Sequence, residues 1–86
     1  MKYTEQQLCE AHTHSAHHRH EIEQSQQCGC FSCCKIYPAS EVQHYIDKGE
    51  TALCPHCGID SVIGDASGIA LTPDFLNAMC QRWFGD

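Results

Sequence analysis

An α+β fold, with about three helices and short antiparallel strands, is predicted for this chain by three observations. The cysteines come as two short clips, Cys30-Phe31-Ser32-Cys33 and Cys54-Pro55-His56-Cys57, twenty residues apart. Brief runs of strand-forming residues adjoin the clips: Lys35-Ile36-Tyr37, Thr51-Ala52-Leu53 and Ser61-Val62-Ile63. Apolar residues recur at steps of three and four towards both ends of the chain.

Thr4 with Gln7 forms a capping box, and Leu8, Ala11, Ser15, His18 and Ile22 then fall on one stripe. One helix is therefore expected within a polar, His-rich first part, residues 1–27. Its stripe is weakly apolar, so it must pack on the rest of the chain or on another chain. A partly disordered tail is the compositional alternative. Gln27 to Ile36 reads as a loop carrying the first clip, with Gly29 supplying the tight backbone. Lys35-Ile36-Tyr37 leaves it as a strand. Pro38-Ala39-Ser40 opens a second helix, with Ser40 and Gln43 as capping box, Val42, Tyr45 and Ile46 on one face, and Gly49 to end it. Thr51-Ala52-Leu53 enters the second clip as a strand, and Ser61-Val62-Ile63 leaves it as another. Residues 64–68 form a turn. Thr72 caps a last helix with Pro73 at its first position, and Phe75, Leu76, Met79 and Trp83 line its apolar face with Phe84 at the margin. Residues 28–86 make up this cysteine-rich second part, and the whole reads as one domain.

With 86 residues, such a chain buries only roughly 60–65% of its unfolded surface, and its core is marginal. A metal is a common remedy at this size. Two C-x2-C clips supply four thiolates, the set that a tetrahedral structural Zn²⁺ takes. Such an ion contributes on the order of 10 kcal/mol of apparent binding energy at neutral pH. Cys30, Cys33, Cys54 and Cys57 are the expected ligands. A site closed by four sulfurs has no open position for water, so it holds shape and does no chemistry. Cys28 and Cys34 flank the first clip as further thiols, and a two-metal cluster using all of them is the wider alternative. Core cysteines, redox thiols or disulfides are the readings without metal. Cys9 and Cys80 fall on predicted helices as small packing residues, or as oxidation hazards if exposed.

Charge narrows the partners. The net charge is −6, and Lys2, Lys35, Lys48, Arg19 and Arg82 are scattered along the chain. Without a basic patch, nucleic acid is disfavoured, and so are anionic membranes. No apolar signal region opens the sequence, and no apolar run approaches the ~18 residues of a bilayer span. A reducing cytoplasm is expected.

Two further groups of residues carry potential chemistry. On a continuous helix, Glu10, His14, His17, His18 and Glu21 would crowd one side. His14 and His18, at i and i+4, could then present imidazoles to one metal, with Glu21 as a third donor. The plainer reading is a polar helix face, alongside His12 and His20, that packs or solvates. Its imidazoles would gain charge in mild acid. Asp60, Ser61, Asp65 and Ser67 could hold a ligand, or they simply supply turn hydrogen bonds.

Three segments carry a resemblance: Cys28-Gly29-Cys30-Phe31-Ser32-Cys33, residues 52–64 around the second clip, and the Thr72-to-Phe84 helix. They resemble a small family of bacterial cytoplasmic proteins without an assigned activity. His14-Ser15, His18-Arg19 and Glu21-Ile22 resemble its N-terminal part. The resemblance spans most of the chain and implies a zinc-ribbon or treble-clef-like module, but no reaction. Cys34 departs from that pattern, which has an aliphatic residue after the first clip. The order clip, helix, clip also resembles the zinc half of HNH nucleases. Those need a catalytic His in a ββα unit, and neither His44 nor His56 occupies one. The expected function is a non-enzymatic binding or adaptor module with a protein partner or self-association. The alternative is a metal-dependent enzyme or metal sensor using the His-rich helix.

Overall fold

Thr4 starts the first helix, α1 (Glu5–Thr13), in the computed structural model, which describes residues 3–85. Met1 and Lys2 of the polar N-terminal part, and Asp86 at the end of the cysteine-rich part, lie outside the described residues. The predicted capping box is complete: the Gln7 N–H donates to Thr4 Oγ1 at 3.1 Å, and the Thr4 N–H donates to Gln7 Oε1 at 2.9 Å.

The single helix expected across this part breaks in two. After α1 a turn intervenes, with His17 at φ 50°, before α2 (Arg19–Gln24). Side chains and backbone of the turn explain the break. Ser15 Oγ donates to the His12 carbonyl at 2.7 Å, and the His17 N–H donates to Thr51 Oγ1 at 2.9 Å. Both bonds compete with helical ones. The stripe survives nonetheless: Leu8, Ala11, Ser15, His18 and Ile22 are all buried. Such burial is the opposite of a disordered tail.

The expected loop from Gln27 begins instead as a strand, β1 (Gln27–Cys30). It pairs antiparallel with β2 (Ile36–Pro38), placing Cys28 opposite Tyr37. The helix expected from Ser40 to Gly49 is absent. One 3₁₀ turn, Ala39–Glu41, leads into a hairpin of β3 (Tyr45–Ile46) and β4 (Thr51–Ala52). The cause is the turn at Asp47, Lys48 and Gly49, whose φ angles are 55°, 61° and 86°. Thr51 Oγ1 donates to Asp47 Oδ2 at 2.9 Å and locks it. Asp and Gly tolerate that left-handed backbone, and the β-branched Ile46 and Thr51 suit strands. So Gly49 reverses a hairpin rather than ending a helix.

The last strand, β5 (Val62–Gly64), lies on the other side of β1, giving the order β2-β1-β5. A 3₁₀ turn, Asp65–Ser67, comes next, ended by Gly68 at φ 85°. The final helix, α3 (Pro73–Trp83), is capped as predicted, with the Phe75 N–H donating to Thr72 Oγ1 at 3.1 Å. The helices are thus α1, α2 and α3, set against short antiparallel strands.

Strand alternation divides the core between the two faces of the sheet. Ile63 packs with Leu8, Ala11, Phe31, Phe75, Leu76 and Met79, under α1 and α3. Val62 points the other way, into a cluster with Ile22, Cys28, Cys30, Tyr37, Val42, Ala52 and Cys54. Gly29 belongs to the α3 face. A Cβ there would sit 3.1 Å from Leu76 Cδ1, so its missing side chain admits the helix rather than a turn.

Candidate metal centre

Two backbone knuckles with the same hydrogen bonds bring the clips together. In the first, the Cys30 N–H donates to the Lys35 carbonyl at 3.0 Å, and the Cys34 N–H donates to the Cys30 carbonyl at 2.8 Å. In the second, the Cys54 N–H donates to the Ile59 carbonyl at 3.0 Å, and the Gly58 N–H donates to the Cys54 carbonyl at 2.9 Å. Each knuckle also aims a backbone donor at its first sulfur. Ser32 N–H lies 3.3 Å from Cys30 Sγ, and His56 N–H lies 3.3 Å from Cys54 Sγ.

The knuckles face one another. Cys30 Sγ is 3.6 Å from Cys57 Sγ, and Cys33 Sγ is 3.7 Å from Cys54 Sγ. All four sulfurs lie within 4.8 Å of one another. Sulfurs at the corners of a tetrahedron with bonds of about 2.3 Å stand about 3.8 Å apart, so the cluster has the dimensions of a four-thiolate metal site. A disulfide would need about 2.05 Å, and every cysteine is a free thiol.

The surroundings favour negative sulfur unevenly. Burial pushes the Cys30 and Cys33 thiols up. At Cys54 burial acts the same way, but the nearby Tyr37 side chain, whose hydroxyl makes no well-formed hydrogen bond, and the His56 and Cys57 backbone outweigh it and bring the thiol down to about 6. Ser61 Oγ lies 3.0 Å from Cys30 Sγ in the buried core. The Tyr37 ring packs against His56 with centroids 5.1 Å apart, and His56 Nε2 meets Glu41 Oε1 at 3.0 Å. Neither Ser61 nor Tyr37 is marked in the sequence as part of this centre. Their only signal is position, next to a clip on a strand.

The other thiols stand apart from the four. Cys28 is buried beneath them, and burial raises its thiol to about 12. Cys34 is exposed. Cys9 is exposed on α1, 3.2 Å from Glu5, and so is no packing residue. Cys80 is partly buried.

His14, His18 and Glu21 do not converge as one donor set. His14 Nδ1 lies 2.9 and 3.1 Å from the two Glu21 oxygens. His18 is buried, with neither ring nitrogen in a well-formed hydrogen bond. The turn between α1 and α2 removes the helical i, i+4 relation that would have brought the two imidazoles together. Among the described residues, the cysteines are the group of three or more donors gathered this closely. Of the Asp and Ser residues after the second clip, Asp65 and Ser67 serve the backbone, while Ser61 faces Cys30. Asp65 accepts from the Gln26 and Gln27 N–H groups at 3.0 and 3.3 Å, and Ser67 Oγ donates to the Gly64 carbonyl at 2.7 Å.

No family model, no curated protein and no solved structure matches the chain. Among the described residues, no helix is long and apolar enough to cross a membrane.

Proposed function

We propose that this chain is a zinc-stabilised binding or adaptor module. Cys30, Cys33, Cys54 and Cys57 hold one Zn²⁺ between two facing knuckles, in the manner of a zinc-ribbon or treble-clef module. One observation carries the reading: the four thiols gather within 4.8 Å on paired knuckles. A sulfur-only, tetrahedral donor set selects zinc or iron over the hard cations. With all four positions taken by protein, no site remains for water or substrate, so the ion's work is structural. A structural ion leaves function to the surfaces that it holds in place. A net charge of −6 favours a protein partner, or a second copy through a neutral face, over nucleic acid. Eight free thiols suit a reducing cytoplasm. Among the described residues, the His-rich segment gathers no three-donor site that would support the enzyme or sensor reading.

Elemental analysis of untagged protein tests this directly. One zinc per chain is expected, lost to a chelator together with the circular dichroism of the fold. A metal-free chain that stays folded would sink the structural role, and two metals per chain would revive the His-rich site. Sedimentation at high concentration tests self-association, which a strict monomer would remove.

A further inference from the structure

Two thiols outside the metal centre come together between the first knuckle and α3. Phe31, inside the first clip, packs in one core cluster with Phe75, Leu76 and Met79, which seats the clip on that helix. Cys80 follows Met79, and its Sγ approaches the Ser32 carbonyl to 3.9 Å. Cys34 lies two residues further along the same knuckle. Its thiol interacts with Cys80 more strongly than with its own chain neighbour, Cys33. Both are free thiols, Cys34 exposed and Cys80 partly buried. Neither belongs to the four sulfurs gathered as a metal site.

The fold of the knuckle does not call for a cysteine at position 34. Its backbone is left-handed, at φ 60°, where the second knuckle has Gly58 at 78°. The hydrogen bond that closes each knuckle comes from the backbone N–H, and Gly58 makes it equally well. A side chain in that conformation is strained. This one is exposed, so it fills no core. The strained position thus carries a sulfur that neither the turn nor the packing uses, beside a second sulfur from the far end of the chain.

We propose that Cys34 and Cys80 form a reversible disulfide by exchange with a low-molecular-weight disulfide, fastening the first knuckle to α3 while the four-sulfur centre keeps its metal. The exposed Cys34 is the entry. It loses its proton and attacks one sulfur of the small disulfide. A bond to Cys34 forms, the original S–S bond breaks, and the other half leaves as a thiolate that takes up the proton. Cys80 then attacks the Cys34 sulfur in the same way and expels the second half as a thiol. Two protein thiols are oxidised by two electrons, and one small disulfide is reduced to two thiols. Burial and the Cys80 sulfur push the Cys34 thiol up, so exchange is slow and the pair is read at equilibrium. The link closes a long loop and stabilises the fold by restricting the unfolded chain. In a reducing compartment such a bond is transient and marks an oxidising excursion.

The probe is glutathione disulfide, equilibrated with the zinc-loaded full chain at neutral pH. Remaining thiols are then alkylated, and the linked peptides are mapped by mass spectrometry. A Cys34–Cys80 link is expected, with the zinc content unchanged, a rise in Tm of about 8 °C or more, and return to two thiols on adding reduced glutathione. A Cys80→Ser chain should stop at glutathione on Cys34 and melt like the reduced parent. Three results would overturn the proposal: Cys34 and Cys80 left reduced or capped separately, bonds formed among the four ligands with zinc released, or a link that leaves Tm no higher. Zinc is counted in the same samples before oxidant is added, so a failure of the metal reading and a failure of this one are told apart.

Discussion

Cys34 stands in the first knuckle where Gly58 stands in the second. Both take left-handed backbone, at φ 60° and 78°, and both donate their N–H to the carbonyl of the knuckle's first cysteine. Glycine adopts that conformation freely, whereas a side chain costs roughly 1–2 kcal/mol there. Cys34→Gly is therefore expected to stabilise the zinc-loaded protein by about 1 kcal/mol, after the larger chain entropy of glycine is set against the relieved strain. For a domain this small, that is a rise in Tm of about 4–8 °C. Zinc stoichiometry should stay the same, since Cys34 is outside the four. Gly58→Ala should act in the opposite direction. Calorimetry of the three proteins decides, and a Cys34→Gly variant that melts early or loses zinc would make Cys34 a ligand.

Ser61 tunes the centre from outside it. Its hydroxyl, 3.0 Å from Cys30 Sγ in the buried core, stabilises a sulfur that burial otherwise disfavours as thiolate. Partners of this kind typically contribute 10–100-fold to metal affinity. Ser61→Ala should keep the fold at saturating zinc and weaken zinc binding by about that factor in competition with a chelator of known affinity. Unchanged affinity would reduce the contact to packing.

The clips, the Thr4 and Thr72 caps and the apolar face of α3 were legible in the sequence because each is a local signal with a local cause. The stripe from Leu8 to Ile22 was legible as burial but not as one helix. The bonds that break it run to Thr51 and to the turn's own backbone, and Thr51 is 34 residues away from its partner His17. Residues 40–49 failed for a related reason. Ser40, Gln43 and Gly49 match a helix locally, while three consecutive left-handed residues make a hairpin whose strands pair with each other. Cys28-Gly29-Cys30 carries little strand propensity, and it becomes the central strand because β2 and β5 supply its partners. At the site, the four sulfurs could be named from spacing alone. Ser61 and Tyr37 could not, because their roles depend on which strand neighbours which.

His18 gives stability a pH dependence of predictable sign. Burial lowers its pKa below the ordinary 6.5. The Val62 backbone and the Glu21 charge oppose that shift, and His14 and His17 add to it. The unfolded chain thus takes up a proton near pH 6.5 that the native ring takes up only at lower pH. Above that value the ring is neutral in both states and adds no pH dependence. Stability then falls as pH drops from about 6.5 towards the native pKa, by at most about 1.4 kcal/mol per pH unit. His18→Leu should flatten this part of the profile. Zinc loss in acid is common to both proteins, so the difference between their urea profiles at each pH isolates the ring. Parallel profiles from pH 7 to 5.5 would mean that His18 is protonated equally in both states.

Gly29 and Leu76 couple the strand that carries Cys30 to the last helix. A Cβ on Gly29 would lie 3.1 and 3.2 Å from the two Leu76 methyl carbons, and Leu76 is fully buried. In an open strand position, alanine would be the better residue, because glycine loses more backbone freedom on folding. Here the overlap should reverse that preference, and Gly29→Ala is expected to cost about 1–3 kcal/mol. Leu76→Ala alone should cost about 2–5 kcal/mol through the cavity it leaves. In the double variant the new methyl enters part of that cavity, so the two losses should sum to more than the double variant loses, by about 0.5–3 kcal/mol. Urea denaturation of the four zinc-loaded proteins closes the cycle. Additivity within about 0.5 kcal/mol would mean that Leu76 yields without cost, and that glycine at position 29 serves something other than the approach of α3.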